Sequence, residues 1–237
     1  MKKIPAKKLL ECAIDAVKTA GEHASNNSNR RRNIVEIFRH DVKLQLDIEC
    51  QQKAEHVIRK RFPKHSILGE EDSFGKPKTV MSDYEWIVDP IDGTVNFHHG
   101  LRSWCSSVAV RFRGEVVAGA VFAPELGELY TASIDTPARL NGKVITVSKV
   151  DKLSDSLIMT GLDKNTDSSI PPYAMLKAIA GNVQKARLMG VAALDMCQVA
   201  CGRAEGYFEA HIYIWDIAAA GLIVRQAGGK SEQIGKI

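Results

Sequence analysis

Trp86-Ile87-Val88-Asp89-Pro90-Ile91-Asp92-Gly93-Thr94 is the most informative stretch of this 237-residue chain. Its three leading apolar residues predict a buried strand, and the chain is expected to break at Pro90. A residue before proline is pushed into an extended conformation, so Asp89 and Asp92 sit three apart across that break. Such a turn aims two carboxylates and the carbonyl of Ile91 at one point. Gly93 lets the backbone approach a ligand closely, and Thr94 opens a helix whose free N–H groups face an anion. Asp-Pro and Asp-Gly are also ordinary turn formers, and aspartate is a common helix cap, so this stretch alone leaves a plain turn open.

Two further acidic blocks tip the balance. Gly69-Glu70-Glu71-Asp72 ends a second short β-like run, and adjacent carboxylates repel unless water or cations bridge them. Asp216 follows Trp215 inside an otherwise apolar helical run, where a carboxylate is seldom buried without a partner; its plain reading is a helix N-cap. Together the blocks supply hard oxygen ligands, which suit Mg²⁺ and suit zinc poorly. Two Mg²⁺ ions about 4 Å apart activate a water and stabilise a leaving oxygen in phosphoryl transfer.

Composition narrows the classes. Hydrophobic residues make up 45% and charged residues 25%, which excludes global disorder. The 32 Lys and Arg against 28 Asp and Glu leave +4, too mild to argue for a nucleic-acid groove. Arg30-Arg31-Arg32 is a local basic run and reads as a solvated loop. Five cysteines, widely spaced apart from Cys197 and Cys201 and without a C-x-x-C pair, read as small core residues of a reducing compartment. Lys7, Lys8 and Glu11 interrupt any apolar leader, and Ile217 to Val224 is too short to span a bilayer, so a cytoplasmic location is expected.

Periodicity predicts an opening amphipathic helix through Leu9, Ala13, Ala16, Val17 and Ala20, ended by Gly21 and the polar run Ser25 to Asn29, and a second helix from about Leu44 to Arg61, stopped by Pro63. Strands are expected at Ser66–Gly69, Glu85–Val88, Ser107–Val110, Val116–Phe122 and Leu129–Thr131, with a hairpin-like turn at Asn141-Gly142. Beyond Asp151 strand and helix alternate: strands at Leu157–Thr160, Ala186–Met189 and Tyr207–Glu209, helices near Pro172–Ile179, Ala192–Cys201 and Trp215–Gln226. The expected organisation is one domain over 1–237, with an α+β part (about 1–145), an α/β part (about 146–237) and no linker.

Gly-Glu-Glu at 69–71, Asp-Pro-Ile-Asp-Gly-Thr at 89–94 and Trp-Asp-Ile-Ala-Ala-Ala-Gly at 215–221 resemble the three signature blocks of the inositol monophosphatases. Gly190 to Glu209 resembles the segment between the last two. The resemblance implies the layered α/β/α/β/α sandwich of the inositol monophosphatase and fructose-1,6-bisphosphatase superfamily. It further implies one Mg²⁺ on Glu70, Asp89 and the Ile91 carbonyl, and a second on Asp89, Asp92 and Asp216. Glu70 would also face a weaker third ion, with Glu71 close by. Donors of Gly93 and Thr94 would cradle the phosphate, with Asp92 also contacting substrate, and Asp47 paired with Thr94 would orient or deprotonate the attacking water. Gly190, Val191, Ala192, Glu209 and Asp216 match substrate-contacting positions.

The implied activity is Mg²⁺-dependent, lithium-sensitive hydrolysis of myo-inositol monophosphate in a homodimer, by in-line attack of metal-activated water. Other phosphatases of the superfamily act on 3′-phosphoadenosine nucleotides, histidinol phosphate or fructose-1,6-bisphosphate, and some relatives of this fold bind RNA in transcription complexes. Asn96-Phe97 and Glu209 favour the inositol branch. Leu44 stands where the family usually has a threonine, Glu36 where it often has a lysine, and the chain ends at Ile237 where relatives continue for another strand or two, so the C-terminus looks shortened. His98 and His99 are expected to make local hydrogen bonds, and His211 to meet substrate or a loop. Trp86, Trp104 and Trp215 read as packing residues, with Phe97 and Trp104 alternatively at a dimer surface.

Overall fold

The computed structural model describes residues 4–38, 41–72, 82–162, 172–210 and 212–232. Helix α1 (Ala6–Asn26) leads into strands β1 (Ile34–Ile37) and β2 (Val42–Leu44), which pair as an antiparallel hairpin. Helix α2 (Gln45–Arg61) follows, then β3 (Ser66–Gly69), a 3-10 turn over Glu70–Asp72, and β4 (Tyr84–Asp92). After the short α3 (Thr94–His99) come β5 (Cys105–Phe112), β6 (Glu115–Ala123), β7 (Glu128–Ser133), β8 (Thr136–Leu140) and β9 (Lys143–Val144). The remainder is β10 (Leu157–Thr160), α4 (Pro172–Ala180), β11 (Lys185–Leu188), α5 (Ala192–Ala200), β12 (Gly206–Phe208) and α6 (Ile214–Gln226).

Strands β3 to β9 form a seven-stranded sheet in sequence order, parallel only between β3 and β4. A second, parallel sheet has the order β11-β10-β12. One face of the large sheet buries α1 and α2 through Leu9, Ala13, Val17, Ala54 and Ile58. Its other face buries α5 and α6 through Ala193, Leu194, Ala219, Leu222 and Ile223. The far side of α5 meets the small sheet, where Val199 packs with Met159 and Ala204. With α4 against β11, the architecture is the expected layered α/β/α/β/α sandwich. Among the described residues, no helix is long and apolar enough to cross a membrane.

Small residues let these layers close. A Cβ on Gly119 of β6 would stand 2.9 Å from Cα of Ala219, so the Ala218-Ala219-Ala220 stripe of α6 presses directly on the sheet. The same logic corrects the expected end of α1. Gly21 does not stop the helix but lies inside it, where the Phe122 ring fills the space its side chain would need, and the helix ends at Asn26 within the expected polar run.

Pro90 is the second correction. Rather than breaking there, β4 runs on to Asp92. Its pairing with β3 ends at Val88, and its register with β5 shifts between Asp89 and Asp92. Pro90 therefore occupies an irregular stretch that asks no ladder N–H of it, where proline is tolerated. Asn141 (φ 48°) and Gly142 (φ 81°) form the expected tight turn between β8 and β9. All five cysteines are free thiols, as expected. Phe97 and Trp104 are buried edge-to-face on each other, so they belong to the core and not to a surface.

Candidate metal and phosphate site

The parallel register of β3 and β4 sets Gly69 beside Val88, which brings the next residues, Glu70 and Asp89, together at the strand ends. Asp89 is 1% and Asp92 7% exposed. Asp216 arrives from the first turn of α6, and ligand oxygens of Asp89, Asp92 and Asp216 lie within 4.8 Å of one another. Glu70 is hydrogen-bonded to Asp89 and feels Asp216 electrostatically. Three remote blocks of sequence thus meet at one point.

Three of the carboxylates, Asp47, Asp92 and Asp216, each accept a backbone N–H on one oxygen. The N–H of Leu44 donates to Asp47 Oδ2 at 2.7 Å, and that of Tyr213 donates to Asp216 Oδ2 at 2.8 Å. In both helices an aspartate three residues inside reaches back to the N-cap backbone, so Asp216 is not itself the N-cap residue. It also means that Asp47 is oriented by the backbone N–H of Leu44, whose side chain has no hydroxyl to offer. Asp92 Oδ2 accepts from the N–H of Ala193 at 2.7 Å, which anchors α5 to the end of β4.

Asp47 Oδ1 and Asp89 Oδ1 are buried without a hydrogen-bond partner among the described residues. Burial, and then the neighbouring carboxylates, holds Asp89 and Asp92 protonated well above the usual range. Burial likewise raises Asp47, against the N–H of Leu44 that lowers it. Glu70 is pushed up to about 8, by burial first and by Asp216 and Glu71 next. A site that confines several carboxyls with unpartnered oxygens is one that a cation completes, and its all-oxygen donor set fits a hard divalent ion.

The remaining expected residues surround this cluster. Gly93 has φ 87°, and a Cβ there would stand 2.7 Å from Cγ2 of Val191 and 3.5 Å from the carbonyl oxygen of Gly190. Gly93 thus faces Gly190 and Val191, with Ala192 opening α5 behind them. Asn96 Nδ2 donates to the carbonyls of Ser103 and Met189, both at 2.8 Å, and pins the approach to Gly190. Thr94 Oγ1 donates to the carbonyl of Ile91 at 2.8 Å. This corrects the expected Asp47–Thr94 pair, because a hydroxyl at the first helical position finds the carbonyl three residues back. Glu209 follows β12 and acts electrostatically on both Asp92 and Asp195.

Two residues escaped sequence reading. Gln51, 3% exposed, accepts from the N–H of Glu71 at 3.0 Å and donates to Glu55 at 3.2 Å, holding the Glu70–Asp72 turn onto α2. Its signal was its position, one helical turn after Asp47. Asp195, 2% exposed, is pushed up to about 8 by burial and by Glu209. Its signal was the one used for Asp216, an acid inside an apolar helical run. Lys43 of β2 adds an ion pair to Glu71 at 2.5 Å.

Other candidates fall elsewhere. His98 Nδ1 donates to the carbonyl of Arg31 at 3.0 Å, a long-range bond across 67 residues and not the local one expected. Arg30 pairs with Glu49 at 2.5 Å and Arg31 donates to the carbonyl of Ser28 at 3.1 Å, leaving Arg32 exposed. His211 lies outside the described residues.

Residues 6–235 match the inositol monophosphatase family. A protein of Pasteurella multocida named Nus factor SuhB is 36% identical over 93% of this chain and 83% of its own length. An inositol monophosphatase of Dictyostelium discoideum is 35% identical over 97% of this chain and 86% of its own. Among solved structures, an inositol monophosphatase from Anabaena superposes with a TM-score of 0.85 at 31% identity, covering 96% of this chain and 84% of that one.

Proposed function

The chain belongs to the inositol monophosphatase family, and from that premise we propose that it is a Mg²⁺-dependent phosphomonoesterase whose substrate is myo-inositol monophosphate. The observation that carries this reading is the convergence of Asp89, Asp92 and Asp216 within 4.8 Å, with Glu70 bonded to Asp89. In this reading Glu70, Asp89, Asp92, Asp216 and the Ile91 carbonyl hold two to three Mg²⁺ ions. Bound there, the metal supplies Lewis acidity, which acidifies a coordinated water and neutralises charge on phosphoryl oxygens.

The chain's own groups do the rest. Asp47, with its buried and unpartnered Oδ1, accepts a hydrogen bond from the attacking water and helps Glu70 take its proton. The N–H groups of Gly93 and Thr94 and the Thr94 hydroxyl orient the phosphate, the hydroxyl leaving Ile91 to do so. Gly93 leaves no room for a side chain against Val191, and Gly190, Val191, Ala192 and Glu209 receive the polyol. Asp92 and Asp216 also face the substrate. Holding water and phosphorus in line converts a bimolecular step into an oriented one.

A homodimer, lithium sensitivity, a cytoplasmic location and a single domain of two subdomains belong to the same proposal. The test is a panel of phosphomonoesters ranked by kcat/KM with Mg²⁺. Inositol monophosphate is expected to lead, and a larger value for a 3′-phosphoadenosine nucleotide, histidinol phosphate or fructose-1,6-bisphosphate would reassign the substrate.

The relative named Nus factor supports a second reading, an RNA- or transcription-complex-binding protein on this fold. The basic run offers it little surface, since Arg30 and Arg31 are bonded within the chain. Salt-sensitive RNA binding that survives Asp89→Asn would establish it.

A further inference from the structure

Gly161 lies directly after β10, and the carboxylate of Glu209 occupies the space beside it. A Cβ on Gly161 would stand 2.0 Å from Cδ and Oε1 of Glu209 and 2.1 Å from Oε2. The backbone does not ask for glycine here, because Gly161 is not among the residues with positive φ. Space alone does.

The strand ends hold this geometry. The parallel register of β10 and β12 pairs Thr160 with Phe208, and Thr160 Oγ1 donates to the carbonyl of Phe208 at 2.7 Å. Gly161 and Glu209, the first residue after each strand, are therefore brought side by side. From the other direction the Tyr207 hydroxyl donates to Glu209 Oε2. One carboxylate is thus located by an absent side chain and by a phenol.

We propose that Gly161 and Tyr207 are positioning residues that set the depth of the Glu209 carboxylate and thereby select phosphomonoesters carrying a hydroxyl for it to accept. The inference rests on the phosphatase reading above, in which Glu209 receives the polyol. A carboxylate at the right depth accepts a hydrogen bond from the substrate hydroxyl. Displaced, it leaves both groups imperfectly paired, which weakens binding of the polyol and not of the phosphate. The group a methyl at 161 would strike is the far end of a flexible side chain, so Gly161→Ala moves Glu209 while sparing the fold.

The experiment measures kcat and KM for myo-inositol 1-phosphate and for p-nitrophenyl phosphate, which offers no hydroxyl, in the full chain with Mg²⁺. For Gly161→Ala, KM for the inositol ester is expected to rise about tenfold with little change in kcat, while the nitrophenyl ester shifts less than about twofold. Shortening the acid in Gly161→Ala/Glu209→Asp makes room for the methyl and should restore most of the preference. Tyr207→Phe adds no volume and should lower the same ratio, which keeps the test decisive even if Gly161→Ala fails to fold. An unchanged ratio in both single variants, a parallel loss on both esters, or no recovery in the double variant overturns the proposal. A wild-type chain that hydrolyses neither ester overturns the phosphatase reading itself, and this inference with it.

Discussion

The N–H of Ala193 donates to Oδ2 of Asp92 at 2.7 Å across a separation of 101 residues, joining the first turn of α5 to the end of β4. The bond fixes one oxygen of a carboxylate that also faces Asp89 and Asp216. A single residue thereby couples the two halves of the sequence to the proposed metal site.

Asp92→Asn keeps an oxygen for Ala193 but removes the charge. Turnover should fall by about three orders of magnitude, the loss expected when several kcal/mol of charge stabilisation disappear. Far-ultraviolet circular dichroism should be unchanged. Activity within a few-fold of wild type would show that Asp92 is structural alone.

Gln51→Leu removes the acceptor for the N–H of Glu71 while keeping similar volume. An unsatisfied buried donor costs about 1–3 kcal/mol. Misplaced support for Glu70 should also weaken Mg²⁺ activation by about 10–100-fold, as loss of groups that hold metal ligands does. The Mg²⁺ concentration at half-maximal rate, read beside the urea midpoint, checks both effects.

The metal-free protein should lose stability as pH rises. Glu70 and Asp195 are each pushed up to about 8, from ordinary values of 4.5 and 3.8. Between those limits the fold retains protons that the unfolded chain has released, so the slope of stability against pH is negative. A cation replaces the protons on the site carboxyls, and its stabilising effect should grow from pH 5.5 to pH 8. Thermal midpoints in EDTA and in Mg²⁺ at the two pH values test this; a Mg²⁺ shift that shrinks at pH 8 would contradict it.

His65 predicts the opposite slope on the acid side. Its ring stacks between Phe62 and Tyr84, and Nδ1 accepts from Trp86 Nε1 at 3.0 Å, while burial lowers its pKa. Below about pH 6.5 the unfolded chain binds the proton more readily, so this contribution is lost as pH falls. His65→Gln should cost about 1–3 kcal/mol at pH 7 and progressively less towards pH 5, read from urea midpoints across that range.

Sequence legibility followed the range of the forces involved. β3 and β10 were readable to the residue because each is a short apolar run, and α2 to within one residue because Pro63 stops it. Gly21 and Pro90 misled because their local meaning was overridden from afar, by Phe122 and by the shifted β4–β5 register. The β1–β2 hairpin was not anticipated, since Ile34, Val35 and Ile37 face outward and carry no alternation. Asp89, Asp92 and Asp216 stood out as acids in apolar surroundings. Gln51 and Gly161 did not, because a glutamine or a glycine acquires its role only from a residue that tertiary structure delivers.

The central claim is that Glu70, Asp89, Asp92 and Asp216 form a divalent-cation site that makes this chain a phosphatase. Phosphate release from myo-inositol 1-phosphate, followed as Mg²⁺ is titrated into EDTA-stripped protein, tests it most directly. Release should be absent without metal, rise saturably with Mg²⁺, and vanish in Asp89→Asn. Equal release in EDTA, or none at any Mg²⁺ concentration from a folded wild-type chain, would contradict it.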